Sequence, residues 1–136
     1  HEGPLQTAEG LNRLRGFNIE DLINHPSHYT DGKYEVLDVI EDWGFDYRTG
    51  NALKYISRSG KKAGADPLSD LLKAEFYINR AAERPCPTLR HGARTVDLYD
   101  YCADKGLSKS LTDCVDCLYH GNAHGALRFI REAASE

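Results

Sequence analysis

Two short polar stretches carry the residues best suited to chemistry: NHPSHYT at residues 24–30 and GNALKYISRSGKK at residues 50–62. In the first, His25 and His28 flank Pro26 and Ser27, with Tyr29 beside them. Imidazole and hydroxyl groups can donate hydrogen bonds to phosphate oxygens or act as general acid and base near neutral pH. In the second, about 100° of rotation per residue places Asn51, Lys54 and Arg58 in one sector of a helix, with Ala52, Leu53 and Ile56 pointing the other way. Arg offers a phosphate a planar fork and Lys a point charge, both through charge-assisted hydrogen bonds. Gly60 is placed to end that helix in the left-handed conformation, after which Lys61 and Lys62 can fold back over a bound anion. A second reading stays open, because cations late in a helix also complement its macrodipole, at about 0.3–1 kcal/mol each. It accounts for Arg58 and Lys61 better than for Asn51 and Lys54, which lie in the first turns.

Carboxylates supply the other candidate chemistry. Glu35 and Asp38 stand one helical turn apart and can share a hard cation such as Mg²⁺ with substrate phosphates, Asp70 completing the set from a later helix. The competing reading is a solvated acidic face. On that later helix Asp70, Lys73 and Tyr77 form a second polar stripe. Cys114, Cys117, His120 and His124 superficially spell a zinc set, but the spacing is too compressed for a finger. Both cysteines fall in the arc of Leu111 and Leu118, where thiols behave as small apolar residues, so no zinc is expected. A P-loop is excluded, since it needs glycine where Tyr55 stands and a hydroxyl where Lys62 stands. No G-x-G-x-x-G fingerprint supports a Rossmann site either.

These residues have to be held by a small scaffold. A chain of 136 residues can bury an adequate core without metal or disulfide staples. Net charge is −4, with a sequence pI of about 5.9, so the molecule lacks the basic footprint of a nonspecific nucleic-acid binder. Direct nucleic-acid binding is not expected. No apolar run approaches a membrane span, and the first residues lack a signal pattern, so no membrane partner and an intracellular, cytoplasmic location are expected. The cysteines (Cys86, Cys102, Cys114, Cys117) are too few for a disulfide framework and are expected as thiols.

Hydrophobic periodicity predicts an all-α fold. Residues 1–23 form a polar arm, residues 24–84 a helical domain, residues 85–94 a Pro- and Gly-containing linker, and residues 95–136 a helical C-terminal region. A first helix is predicted from about Lys33 to Trp43, with Val36, Leu37, Val39, Ile40 and Trp43 on its buried arc and Glu35, Asp38 and Asp42 outside. Gly44 closes it. A second runs from about Thr49 to Ser59. A third opens with Asp66 as N-cap and Pro67 at the first position, and buries Leu68, Leu71, Leu72 and Ile78. The C-terminal region echoes the first part faintly: DYCADKGL aligns with DVIEDWGF, and LRFIREA with EFYINRA. Either it is a degenerate repeat that has lost its cations, or amphipathic helices coincide by chance.

With NHPSHYT, YEVLDVIEDWG, GNALKYISRSGKK and DLLKAEFYINR in that order, residues 24–80 resemble a phage-encoded nucleotide kinase-like family, formerly described as a domain of unknown function. One of its relatives is the dTMP/dGMP kinase of short-tailed coliphages. The resemblance covers a little under half of the chain and leaves out the arm and the C-terminal helices. It implies a homo-oligomeric enzyme of the host-cell cytoplasm that phosphorylates small deoxynucleotides from a nucleoside triphosphate, without a P-loop. Carried over, the positions are His25, His28, Glu35 and Asp38 for catalysis, the two carboxylates also for Mg²⁺. Ser27, Tyr29, Asn51, Lys54, Tyr55, Arg58, Lys61, Lys62, Asp70, Lys73 and Tyr77 would bind the nucleotide and its phosphates. Ser57 and Ser59 depart from the family pattern, which favours larger or apolar residues there.

The sequence thus leads to a nucleotide-binding protein, most concretely a nucleoside monophosphate kinase whose cationic helix, acidic helix and His loop share a cleft. Two alternatives use the same residues. One is sequestration of a nucleotide or nucleotide signal without catalysis, the other metal-dependent nucleotide pyrophosphohydrolysis.

Overall fold

The computed structural model describes residues 32–61, 63–64, 66–85 and 92–136. Among them are six helices and no strand, an all-α fold as the periodicity predicts. The helices are α1 (Val36–Trp43), α2 (Tyr47–Arg58), α3 (Pro67–Glu83), α4 (Leu98–Asp104), α5 (Lys109–Tyr119) and α6 (Ala123–Ser135). The stretch from residue 1 to 31, with the predicted arm and the His loop, lies outside the described residues.

Local chemistry sets most boundaries. Asp46 accepts from the Thr49 amide at 2.8 Å and so starts α2 two residues earlier than predicted. Asp66 and Pro67 open α3 as expected. Gly44 ends α1 with φ 72°, a conformation that costs other residues a Cβ clash. The predicted start of α1 is too early. The Asp104 carboxylate accepts from the Lys33 and Tyr34 amides at 2.7 and 3.1 Å, which keeps that segment extended until the helix begins at Val36.

Within each half, the first helix packs on the second and the second on the third; between halves, α3 meets α6 and α2 meets α5. All six helices contribute to one apolar cluster. Trp43 sits inside it, edge-on to Tyr101 at 5.3 Å and to Tyr119 at 5.2 Å, with its indole N–H donating to Val96 O at 3.0 Å. Burying each side chain of this size is worth about 1.5–3 kcal/mol or more, so the two halves stabilise each other through a shared interior.

Two expectations about faces need correction. On α3 the buried residues are Asp70, Leu71, Ala74 and Ile78, whereas Leu68 and Leu72 remain 41% and 50% exposed. Both arcs of this helix are apolar enough to bury, and contact with α2 on one side and α6 on the other selects the arc that carries Asp70. On α1, Leu37 is 48% exposed, and Asp42 is engaged rather than solvated. Its carboxylate accepts from Thr95 N and Oγ1 and from Val96 N at 2.8–3.1 Å. Burial would raise the Asp42 pKa, but these bonds overcome it and hold the group below the ordinary carboxylate value.

Candidate functional site: a cationic and aromatic face on α2 and α3

The second and third helices are the most closely associated pair, and their shared face gathers the predicted cations. Lys54 and Arg58 project from successive turns of α2 beside Tyr55. Lys54 Nζ stands 4.5 Å from the Tyr55 ring centroid and Arg58 Cζ 4.8 Å; Lys73 Nζ reaches the same ring from α3 at 5.5 Å. A cation at these distances is held by the ring quadrupole, at about 0.5–1 kcal/mol when exposed.

An aromatic row continues the face. Tyr77 stacks on Tyr55 with centroids 6.1 Å apart and 11° between planes, and Tyr47 meets Tyr77 edge-on at 6.0 Å. Phe76 adds a further edge contact at 5.2 Å and is 60% exposed, while Tyr47 is 74% exposed. Hydrogen bonding with Tyr47, followed by desolvation, raises the Tyr77 phenol above its ordinary pKa, so it stays neutral through physiological pH.

Arg58 is fixed from behind. Its Nη2 donates to Asp70 Oδ1 at 2.8 Å, with the two side chains 15% and 4% exposed. A buried pair of this kind holds geometry, and removing one partner strands the other charge. Asp70 therefore does not lie on an open stripe with Lys73 and Tyr77, nor does it join Glu35 and Asp38. Among the described residues no group of three or more His, Cys, Asp and Glu side chains is close enough to hold a metal ion. Glu35 caps α1 with extended backbone, and Asp38 lies exposed on its first turn.

Other predicted positions have local duties. Asn51 donates to Tyr47 O at 2.7 Å, and Lys61 Nζ donates to Ser57 O at 2.7 Å, tying down the C-terminal end of α2 as the macrodipole reading anticipates. Ser57, one of two positions where the resemblance implies a larger or apolar residue, is buried with its hydroxyl 2.6 Å from the Tyr101 hydroxyl. A larger residue there would push Tyr101 out of the core. His25, Ser27, His28, Tyr29 and Lys62 lie outside the described residues.

In the second half, the Cys114 thiol is buried and donates to Ala126 O at 3.4 Å, and burial pushes its pKa up strongly. Burial likewise pushes Cys102 up to about 11, so both are inert apolar packing groups. His120 Nδ1 lies 2.9 Å from Asp116 Oδ1, on its own helix turn.

Sequence reasoning missed Tyr47 and Phe76. Tyr47 was outside the predicted helix; with Asp46 recognised as the N-cap, the row Tyr47, Asn51, Tyr55 at four-residue steps would have revealed it.

Among the described residues no helix is long and apolar enough to cross a membrane. No curated protein and no solved structure matches the chain. Residues 23–79, which take in α1, α2 and most of α3 and so the whole cationic face, match a family described as a protein of unknown function, DUF3310.

Proposed function

We propose that the α2–α3 face binds a nucleotide, with Lys54, Arg58 and Lys73 on its phosphates and the Tyr47–Tyr77 rings against its base. The observation that carries this reading is the convergence of Lys54, Arg58 and Lys73 on the Tyr55 ring, with neither lysine paired to a carboxylate among the described residues. Like charges this close repel unless an anion enters between them. A phosphate supplies that charge together with acceptors for both ammonium groups.

The reaction implied by the resemblance is phosphoryl transfer from a nucleoside triphosphate to a deoxynucleoside monophosphate. That chemistry asks a protein chiefly for alignment and charge neutralisation, which a rigid cationic face provides. Mg²⁺ would accompany the donor phosphates, with Glu35 and Asp38 as its candidate ligands. Sequestration without turnover is the second reading, favoured by the fixing of Arg58 on buried Asp70, which suits holding an anion more than following a moving group.

Calorimetry with dTMP and dGMP, combined with chromatography of a mixture containing ATP and Mg²⁺, tests both. The expected result is binding that weakens at least about tenfold in Lys54→Ala and in Lys73→Ala, each worth about 1.4 kcal/mol, with diphosphate product formed by the parent protein. Binding without product selects sequestration. Unchanged binding in both variants removes the face from the account.

A further inference from the structure

The two halves of the chain hold each other by the same contacts made in both directions. Asp42, at the end of α1, takes the Thr95 and Val96 amides that precede α4 at 3.1 and 2.9 Å. Asp104, at the end of α4, takes the Lys33 and Tyr34 amides that precede α1 at 2.7 and 3.1 Å. The next residue repeats the exchange: Trp43 Nε1 donates to Val96 O, and Lys105 Nζ donates to Tyr34 O. One constant shift in numbering carries each member of the first set onto its counterpart in the second.

The same shift relates the backbone. Gly32 and Arg94 both take positive φ, 96° and 55°. Glu35 and Asp97 are the N-caps of α1 and α4, and Gly44 and Gly106 follow their ends with φ 72° and 63°. Phe45 N returns to Ile40 O, and Leu107 N to Cys102 O, both at 3.0 Å. Asp46 and Ser108 cap α2 and α5. Buried positions coincide as well: Ala52, Leu53 and Ile56 of α2 correspond to Cys114, Val115 and Leu118 of α5. Two unrelated helical hairpins can share caps by chance. They have no reason to exchange equivalent contacts reciprocally, which is the mark of an isologous interface between like units.

We infer that residues 94–136 are a diverged second copy of the unit at 32–83, and that the pairing surface of that unit, centred on Asp42 and Trp43, fits a copy of itself. In this chain the copy sits in the place a partner subunit would take, and it is covalently attached. The family match at 23–79 covers only the first unit, so a chain carrying that unit alone would leave Trp43 without Tyr101, Tyr119 and the Val96 carbonyl and in need of a second copy. The copy keeps the scaffold and has lost the site, because the counterparts of Asn51, Lys54 and Arg58 are Asp113, Asp116 and His120.

Native-state hydrogen exchange on the full chain tests the joint. The Lys33, Tyr34, Thr95 and Val96 amides should open together across a urea series, and Asp42→Asn should speed exchange at all four by roughly tenfold or more, as should Asp104→Asn. Effects confined to the amides each carboxylate contacts would overturn a single reciprocal joint, and if either variant fails to fold, two distinct openings in the parent protein would do the same. The identity of the partner is tested by a chain whose residues 94–136 are replaced by a second 32–83 segment. It should unfold cooperatively as a monomer with both sets of joint amides protected; a chain whose halves stay unpaired would overturn the inference.

Discussion

The two halves of the molecule keep matching buried apolar positions along α2 and α5, and differ in charge on the less buried side of the same two helices. Ile56 and Leu118 serve the same interior, yet Lys54 faces outward where its counterpart is Asp116. In the second half the charges are settled locally: Lys109 pairs with Asp113 at 2.9 Å, His120 lies 2.9 Å from Asp116, and the Tyr99 hydroxyl donates to Asp116 at 3.4 Å. In the first half Lys54 and Lys73 have no carboxylate partner among the described residues and share one aromatic ring. A polar residue enters the joint only where a partner meets it, as Tyr34 O meets Lys105 Nζ, whereas a surface position accepts either sign. On the proposed reading, the scaffold is kept in the second half while the binding face is not, and the ligand belongs to the first half.

The largest effect that would sharpen this contrast concerns α3, which buries Asp70 where α6 buries Ala126. Asp70→Ala strands Arg58 and is expected to cost about 3–5 kcal/mol of stability in urea unfolding. A loss no larger than that of a surface substitution would show that the pair does not organise the face.

Next come the reciprocal clamps. Asp42→Ala and Asp104→Ala should each cost about 1.5–3 kcal/mol, the worth of a hydrogen bond to a charged group, and by similar amounts in thermal or urea unfolding. A large inequality would break the equivalence of the halves. Both carboxyls are held below the ordinary value of 3.8, because backbone hydrogen bonds outweigh the desolvation that would raise them. Their contribution is therefore complete above about pH 4 and is lost as pH falls through 3.8 toward the folded-state values. Asp42→Asn with Asp104→Asn should flatten the acid limb of a stability-against-pH curve.

The smallest effects on stability should accompany the clearest effects on binding. Lys54→Ala and Lys73→Ala should change unfolding by less than about 0.5 kcal/mol while weakening nucleotide binding. Asp113→Ala and Asp116→Ala should leave binding unchanged. Equal sensitivity in both halves would mean that net charge, rather than a built face, governs the interaction.

Much of the fold was legible because its signals are local. Asp66 before Pro67 marks a helix start in any context, and Gly44 and Gly60, with φ 72° and 79°, mark ends because a side chain is strained in that conformation. Alignment of DYCADKGL with DVIEDWGF already registered the two halves. Counted from the caps Asp66 and Asn122, α3 and α6 correspond as Asp70 to Ala126, and the alignment of LRFIREA with EFYINRA lies about one helical turn out of that register. The start of α1 is set non-locally, as the carboxylate that holds Lys33 and Tyr34 extended comes from Asp104.

By itself the sequence determined an all-α fold, three amphipathic helices in the first half, the start of α3 at Asp66 and Pro67, and the clustering of Lys54 and Arg58 on one helix, because each depends on residues within a turn or two of one another. Only the tertiary structure decided that Lys73 joins them around Tyr55, that Asp70 turns inward to Arg58, and that Asp42 and Asp104 fasten the halves reciprocally. Those outcomes depend on which of two apolar arcs a helix buries and on where a carboxylate finds its amides. Such choices are settled by partners far away in the chain, where neither periodicity nor capping carries information.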